Sequence, residues 1–177
     1  EENDEVGVFA LVGSSTMKEE RYADNLRFFR TSEKVFESSE PIYYPDDEVT
    51  LRLISYYPYQ EEGVNMGEST MSVAVETDQN LSAGYFCSDF LVASQNLQSA
   101  PKGAIALHYD HKFFKLKIAL VGKEGEELQG ILDADPKLSV CGFYTKAIYD
   151  FQKETYSAFS NEKSITPAGK WEIQGDR

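Results

Sequence analysis

His108 and His111 enclose Tyr109 and Asp110, and this His-Tyr-Asp-His run is the stretch whose residue types best suit metal ligation. Imidazole and carboxylate groups hold zinc when three or four of them converge on one point. In an extended strand, however, successive side chains alternate between faces, so His108 and Asp110 share one face and His111 lies on the other. The would-be ligands are split across the sheet, and the chain has no further histidine. The pattern argues against a metal centre. On the Tyr109 side, His111 reads as a buried, hydrogen-bonded histidine.

Carboxylates are plentiful, among them Asp46, Asp47, Glu48, Asp78, Asp89, Asp133 and Asp135. Glycoside hydrolysis needs two carboxyl groups held close in space, and with 30 acidic residues some pairs arise by chance. Neither Asp46-Asp47-Glu48 nor Asp133-Ala134-Asp135 has the spacing of a full calcium loop, so both read as solvated turns. Cys87 and Cys141 sit beside aromatic residues in strand-like sequence. They read as buried free thiols acting as small hydrophobes, a single disulfide being the alternative. Two cysteines cannot make a disulfide scaffold. There is no glycine-rich phosphate loop, Gly-x-Ser-x-Gly elbow or His-Glu-x-x-His pattern. No catalytic, cofactor-binding or metal-ligating residue is therefore assigned, and no cofactor is expected. Tyr43, Tyr44, Tyr56, Tyr57 and Tyr59 could form an aromatic platform for stacking on a sugar; the competing reading packs most of them inside.

The elements that would position these residues are strands. Val6, Val8, Ala10 and Val12 alternate with Gly7, Phe9 and Leu11, an almost wholly apolar run that suits a strand covered on both faces. A polar loop, Gly13 to Asn25, follows. Leu26 to Arg30 and Val35-Phe36 read as short strands. Val49 to Tyr57 alternates with period two (Val49, Leu51, Leu53) between two clusters, Tyr43-Tyr44-Pro45 and Tyr57-Pro58-Tyr59. Met71, Val73 and Val75 mark a half-buried strand. Phe86 to Ala93 fits either a strand or a helical turn, and Ser94 to Gly103 reads as loop. Ala104 to Val121 is the longest ordered-looking run; its apolar positions shift from odd to even numbers, which predicts a bulge or bend near Phe113-Phe114. Gly122 to Gly125 reads as a turn, Leu138 to Phe143 and Lys146 to Phe151 as strands that could be continuous, Gln152 to Ala168 as weakly patterned. Trp171-Glu172-Ile173 would add a last edge strand. Eight to ten short strands with regular turns predict an all-β fold, an antiparallel β-sandwich.

The 177 residues make one domain, 1–177, with residues 1–5 as a charged, disordered tail. A net charge of −13 repels phosphate backbones and anionic membranes, so nucleic acid is excluded as a partner. No run approaches the ~20 apolar residues of a membrane-spanning helix. No signal peptide stands at Glu1, so the chain reads as mature or trimmed.

Several segments, in order, resemble the fimbrillin family, the pilus subunits and related surface lipoproteins of Gram-negative anaerobes. They are Asp4-Glu5-Val6-Gly7-Val8-Phe9, Tyr22-Ala23-Asp24-Asn25-Leu26-Arg27-Phe28, the pair Ile42-Tyr43-Tyr44-Pro45 and Tyr56-Tyr57-Pro58-Tyr59, then Ser88-Asp89-Phe90-Leu91-Val92-Ala93 and Leu107 to Leu116. Thr166-Pro167 to Trp171 is similar to the end of such a domain. The resemblance implies a transthyretin-like β-sandwich of the fimbrillin N-terminal type. It also implies a lipid-anchored outer-membrane or fimbrial location at the cell surface, and other pilus subunits as partners through β-strand addition. Family members mature through an N-terminal lipidated cysteine, which this chain lacks. Polymerising members are cut after Arg or Lys, and here Lys18 and Arg21 lie in a loop that reads as exposed. The function expected is that of a non-enzymatic structural or adhesive surface protein, a pilus subunit or pilus-associated lipoprotein engaged in cell adhesion. The alternative is a carbohydrate-binding module on the same sandwich.

Overall fold

β1 (Glu5–Val12) is the strand around which the molecule is built. Its residues from Val6 to Leu11 are all buried, which is why its sequence is apolar on both faces rather than alternating. The structure, a computed structural model, describes residues 4–33, 35–45, 49–121, 123 and 127–172. The Glu1–Asn3 part of the expected tail, the Asp46-Asp47-Glu48 cluster, the Gly122–Gly125 turn apart from Lys123, and the Ile173 end of the last expected strand lie outside the described residues. Glu5 belongs to β1, opposite Phe29, and not to a tail.

β1 pairs antiparallel with β2 (Ala23–Arg30) on one side and β4 (Leu51–Tyr57) on the other. β3 (Phe36–Glu37) extends the sheet past β2; β6 (Leu91–Leu97) and β7 (Asp110–His111) extend it past β4. The order is β3-β2-β1-β4-β6-β7. A second sheet, β5-β8-β9, is made of β5 (Thr70–Ala74), β8 (Val140–Asp150) and β9 (Thr155–Ile165), again antiparallel. Two six-residue helices, α1 (Ser82–Cys87) and α2 (Leu128–Asp133), lie in the connections. This is the antiparallel sandwich that the strand pattern and the resemblance predict.

The inter-sheet core takes Phe9 and Leu11 from β1, Ile54 and Tyr56 from β4, Met71 and Val73 from β5, and Ala147 and Tyr149 from β8. Burying a large apolar side chain of this kind contributes about 2 kcal/mol. Alternation decides which residues face inward: in β5, Met71 and Val73 are buried while Ser72 and Ala74 are exposed. A second cluster, Ala10, Ala23, Leu51 and Leu53, lies on the other face of the large sheet, with Ile42 and Tyr44 packed against it. The Tyr44 hydroxyl donates to the Val49 carbonyl at 2.5 Å, tying the aromatic-proline segment down.

Four local expectations are corrected. Of Ala104 to Val121, only Asp110 and His111 join a ladder, pairing with Val92 and Leu91. The chain bends at Lys112 and Phe113, near the place where the phase of the pattern shifts. Phe113 then packs against Phe90 and Tyr156, while Phe114, Leu116, Leu120 and Val121 face solvent. Alternation alone does not make a strand where no neighbouring edge receives it. Phe86 to Ala93 divides into the end of α1 and the start of β6, and β6 runs on to Leu97, inside the expected loop. The expected loop to Asn25 ends at β2, which begins at Ala23. β9 falls in the weakly patterned stretch, since it has no buried residue to impose a period.

Candidate functional site

The His-Tyr-Asp-His run lies at the sheet edge, and its polar members face solvent. His108, Asp110 and His111 are exposed, and the His111 Nδ1 lies 2.7 Å from Asp89 Oδ1. His111 is therefore not the buried histidine its position suggested, because β7 is an outermost strand with no layer beyond it. Tyr109 points inward instead, its hydroxyl 2.7 Å from Ser55 Oγ, and burial pushes its pKa up. Among the described residues, no group of three or more His, Cys, Asp or Glu side chains is placed to hold a metal ion.

The other sequence candidates are dispersed. Asp78 accepts from the Asn80 amide, Asp133 from Gln129 Nε2, and Asp135 pairs with Lys137. Cys87 and Cys141 are free and exposed, not buried. Cys141 stands where β8 runs beyond the cover of the other sheet, 3.2 Å from Ser164 Oγ. Of the five tyrosines, Tyr43 alone is strongly exposed, at 73%. Tyr56 is fully buried, stacked on Phe9 at 5.8 Å, with its hydroxyl donating to Asn25 Oδ1 at 2.7 Å. Burial raises its pKa to about 12, against the opposing effect of its hydrogen bonds to Gln60 and Asn25. Arg27 lies over the Tyr59 ring. The aromatic-proline clusters are thus mainly packing elements.

Arg21 overturns its expected exposure. Its side chain is fully enclosed. Nε donates to the Met17 carbonyl, Nη1 to Val64 and Asp24, and Nη2 to the carbonyls of Asn65 and Glu68. Lys18, three residues earlier in the same loop, is exposed. Sequence reasoning missed this clamp because three of its acceptors are backbone oxygens more than forty residues away.

An uncovered apolar surface belongs to the small sheet. The first half of β8 and most of β9 project past the core, leaving Phe143, Tyr144 and Phe159 exposed. With residues 112–118, the segment after α2 and residues 165–171, they line a groove of about 1840 Å³. β5 and β9 are the outer strands of this sheet, each paired on one side only. Such a surface can bind by pairing a strand edge or by stacking on rings.

The sequence pattern of the fimbrillin-like family matches residues 1–177. No protein with a curated description matches the chain. Solved structures that share the fold include two bacterial proteins. One, a protein from Bacteroides uniformis ATCC 8492 assigned to cell adhesion, has a TM-score of 0.60 at 18% identity, over 94% of this chain and 64% of that one. The other, a protein of the same assignment from Bacteroides ovatus ATCC 8483, has a TM-score of 0.62 at 13% identity, over 99% of this chain and 65% of that one. This chain thus spans a little under two thirds of the length of each.

Proposed function

The chain belongs to the fimbrillin-like family, and from that premise we propose that it is a non-enzymatic structural or adhesive protein of the cell surface. In this reading it is a pilus subunit or pilus-associated lipoprotein, in a fimbrium or anchored at the outer membrane, and residues 1–177 act as one sandwich domain. It joins other pilus subunits by β-strand addition.

One observation carries the assembly step. β5 is hydrogen-bonded to β8 on one side only, and its register runs from Thr70 to Ala74 without a bulge. An extended segment laid along the other side would pair N–H and C=O groups that otherwise face water, and would widen the smaller sheet over the core. Lysine side chains on an edge strand block such pairing. The test is the double variant Ser72→Lys/Ala74→Lys, at two exposed positions. Oligomer ladders that survive mild denaturant are expected from the parent protein and lost in the variant. Monomer stability should stay within about 0.5 kcal/mol. Unchanged ladders would remove β5 as the acceptor. A second reading, a carbohydrate-binding module, draws on the aromatic rings exposed along β8 and β9.

A further inference from the structure

Charge is distributed unevenly along this chain. The first hundred residues hold six Lys and Arg against 19 Asp and Glu; the remaining 77 hold eleven of each. Six lysines of the second part, Lys112, Lys115, Lys117, Lys137, Lys146 and Lys170, line the groove beside the small sheet, against two carboxylates, Asp89 and Asp135. Lys112 and Lys137 are engaged with Glu154 and Asp135. Lys117, Lys146 and Lys170 make no ion pair among the described residues. In a protein of net charge −13 this is a basic concavity in an acidic surround, and such a cleft concentrates anions of opposite sign.

The same groove carries a strip of rings. Phe113 stacks on Tyr156 at 5.9 Å, Tyr156 lies 6.4 Å from Phe159, and Phe159 lies 6.3 Å from Tyr144. Phe159 and Tyr144 are 57% and 56% exposed. Contiguous apolar surface of this kind marks a place where something docks. The groove's volume of about 1840 Å³ exceeds the roughly 300–1,000 Å³ of small-molecule sites and leaves room for an extended chain. It is not an added strand: β9, beside the groove, has Ala158 and Asn161 at φ 50° and 59°, and its register slips between Lys146 and Ile148. Bulges of this type deter edge pairing.

We propose that this groove binds an anionic polysaccharide, a chain of sugar rings bearing carboxylate or sulfate groups. Sugar faces lie on the strip from Phe113 to Tyr144, and acid groups meet Lys117, Lys146 and Lys170. The proposal rests on the carbohydrate-binding reading and narrows it to acidic glycans. It does not require the β5 edge.

Trp171, the sole tryptophan of the chain, lines the groove and donates through Nε1 to the Pro136 carbonyl at 2.7 Å. Its fluorescence therefore reports occupancy. Titration with polygalacturonate or chondroitin sulfate should give a saturable change that weakens as salt rises. Dextran and poly-L-glutamate should bind about tenfold more weakly or worse. Lys117→Ala/Lys146→Ala and, separately, Tyr144→Ala/Phe159→Ala should each weaken binding by about tenfold, with unchanged circular dichroism. An equal response to poly-L-glutamate would overturn the proposal in favour of an acidic polypeptide. A response to dextran alone would overturn it while leaving the carbohydrate-binding reading standing, and silence with every polysaccharide would remove both. A concentration-dependent dimer that alters Trp171 fluorescence and excludes the glycan would give the groove to a second copy of the chain, and the proposal would fail.

Discussion

The guanidinium carbon of Arg21 lies 5.2 Å from the centre of the Phe9 ring, so a permanent cation rests on the aromatic centre of the core. Its donors satisfy four backbone carbonyls and the Asp24 carboxylate. The group thereby ties the loop after β1 to the loop before β5, and so joins the two sheets. Only guanidinium offers five N–H donors in a fixed planar fork.

Replacing Arg21 leaves buried carbonyls without donors. Arg21→Ala should cost about 3 kcal/mol. Arg21→Lys should cost nearly as much, because an ammonium has three donors and cannot span acceptors on both sides of the fork. Urea unfolding measures both. A lysine variant as stable as the parent would show that charge alone suffices.

Gly7 faces Tyr56 across the β1–β4 ladder. A Cβ built at Gly7 would stand 2.2 Å from Tyr56 Cε1 and 2.5 Å from Cζ. That ring is pinned by Phe9 and Asn25 and has no room to move. Gly7→Ala should therefore destabilise the fold by about 2 kcal/mol through overpacking. Gly13→Ala serves as a comparison, since nothing stands within 4 Å of its Cβ and only its positive φ opposes the change.

Tyr149 is buried at 1% exposure, and its hydroxyl has no hydrogen-bond partner among the described residues. Its ring packs edge-on against Phe90 and Phe151 and contributes through its apolar body. Tyr149→Phe keeps that body and removes the unpaired polar atom. The variant should be more stable by about 1 kcal/mol, read as a raised melting temperature.

The buried tyrosines predict an alkaline limit to stability. Burial lifts Tyr56 from its ordinary 10.0 to about 12, and lifts Tyr156 to about 12 by the same cause. A raised pKa in the folded state means that the unfolded chain loses its proton first. The stabilisation from Tyr56 is intact below pH 10 and declines as pH rises through 12, by about 3 kcal/mol in all. Stability measured across that range should fall steeply in the parent. It should fall less in Tyr56→Phe, which has no proton to lose at that position.

Burial that repeats along a strand was legible in the sequence. β1 is apolar throughout because both its faces are covered, and β5 alternates because one of its faces is. The aromatic-proline segments were legible too, since Tyr44 and Tyr56 are large rings that a core must absorb. From these patterns alone the residues determine two packed antiparallel layers and the family likeness. Tertiary structure decided the rest. Ala104 to Val121 alternates well yet pairs at two residues only, because strand pairing needs a neighbour with a free edge, and periodicity carries no information about neighbours. β9 has poor alternation yet is eleven residues long, because hydrogen bonds to β8 hold it without a buried face. Arg21 and Lys18 are both cations in one polar loop; one is sealed in the core and the other exposed. The difference lies in the carbonyls of Val64, Asn65 and Glu68, which every residue possesses and which only the folded chain can aim.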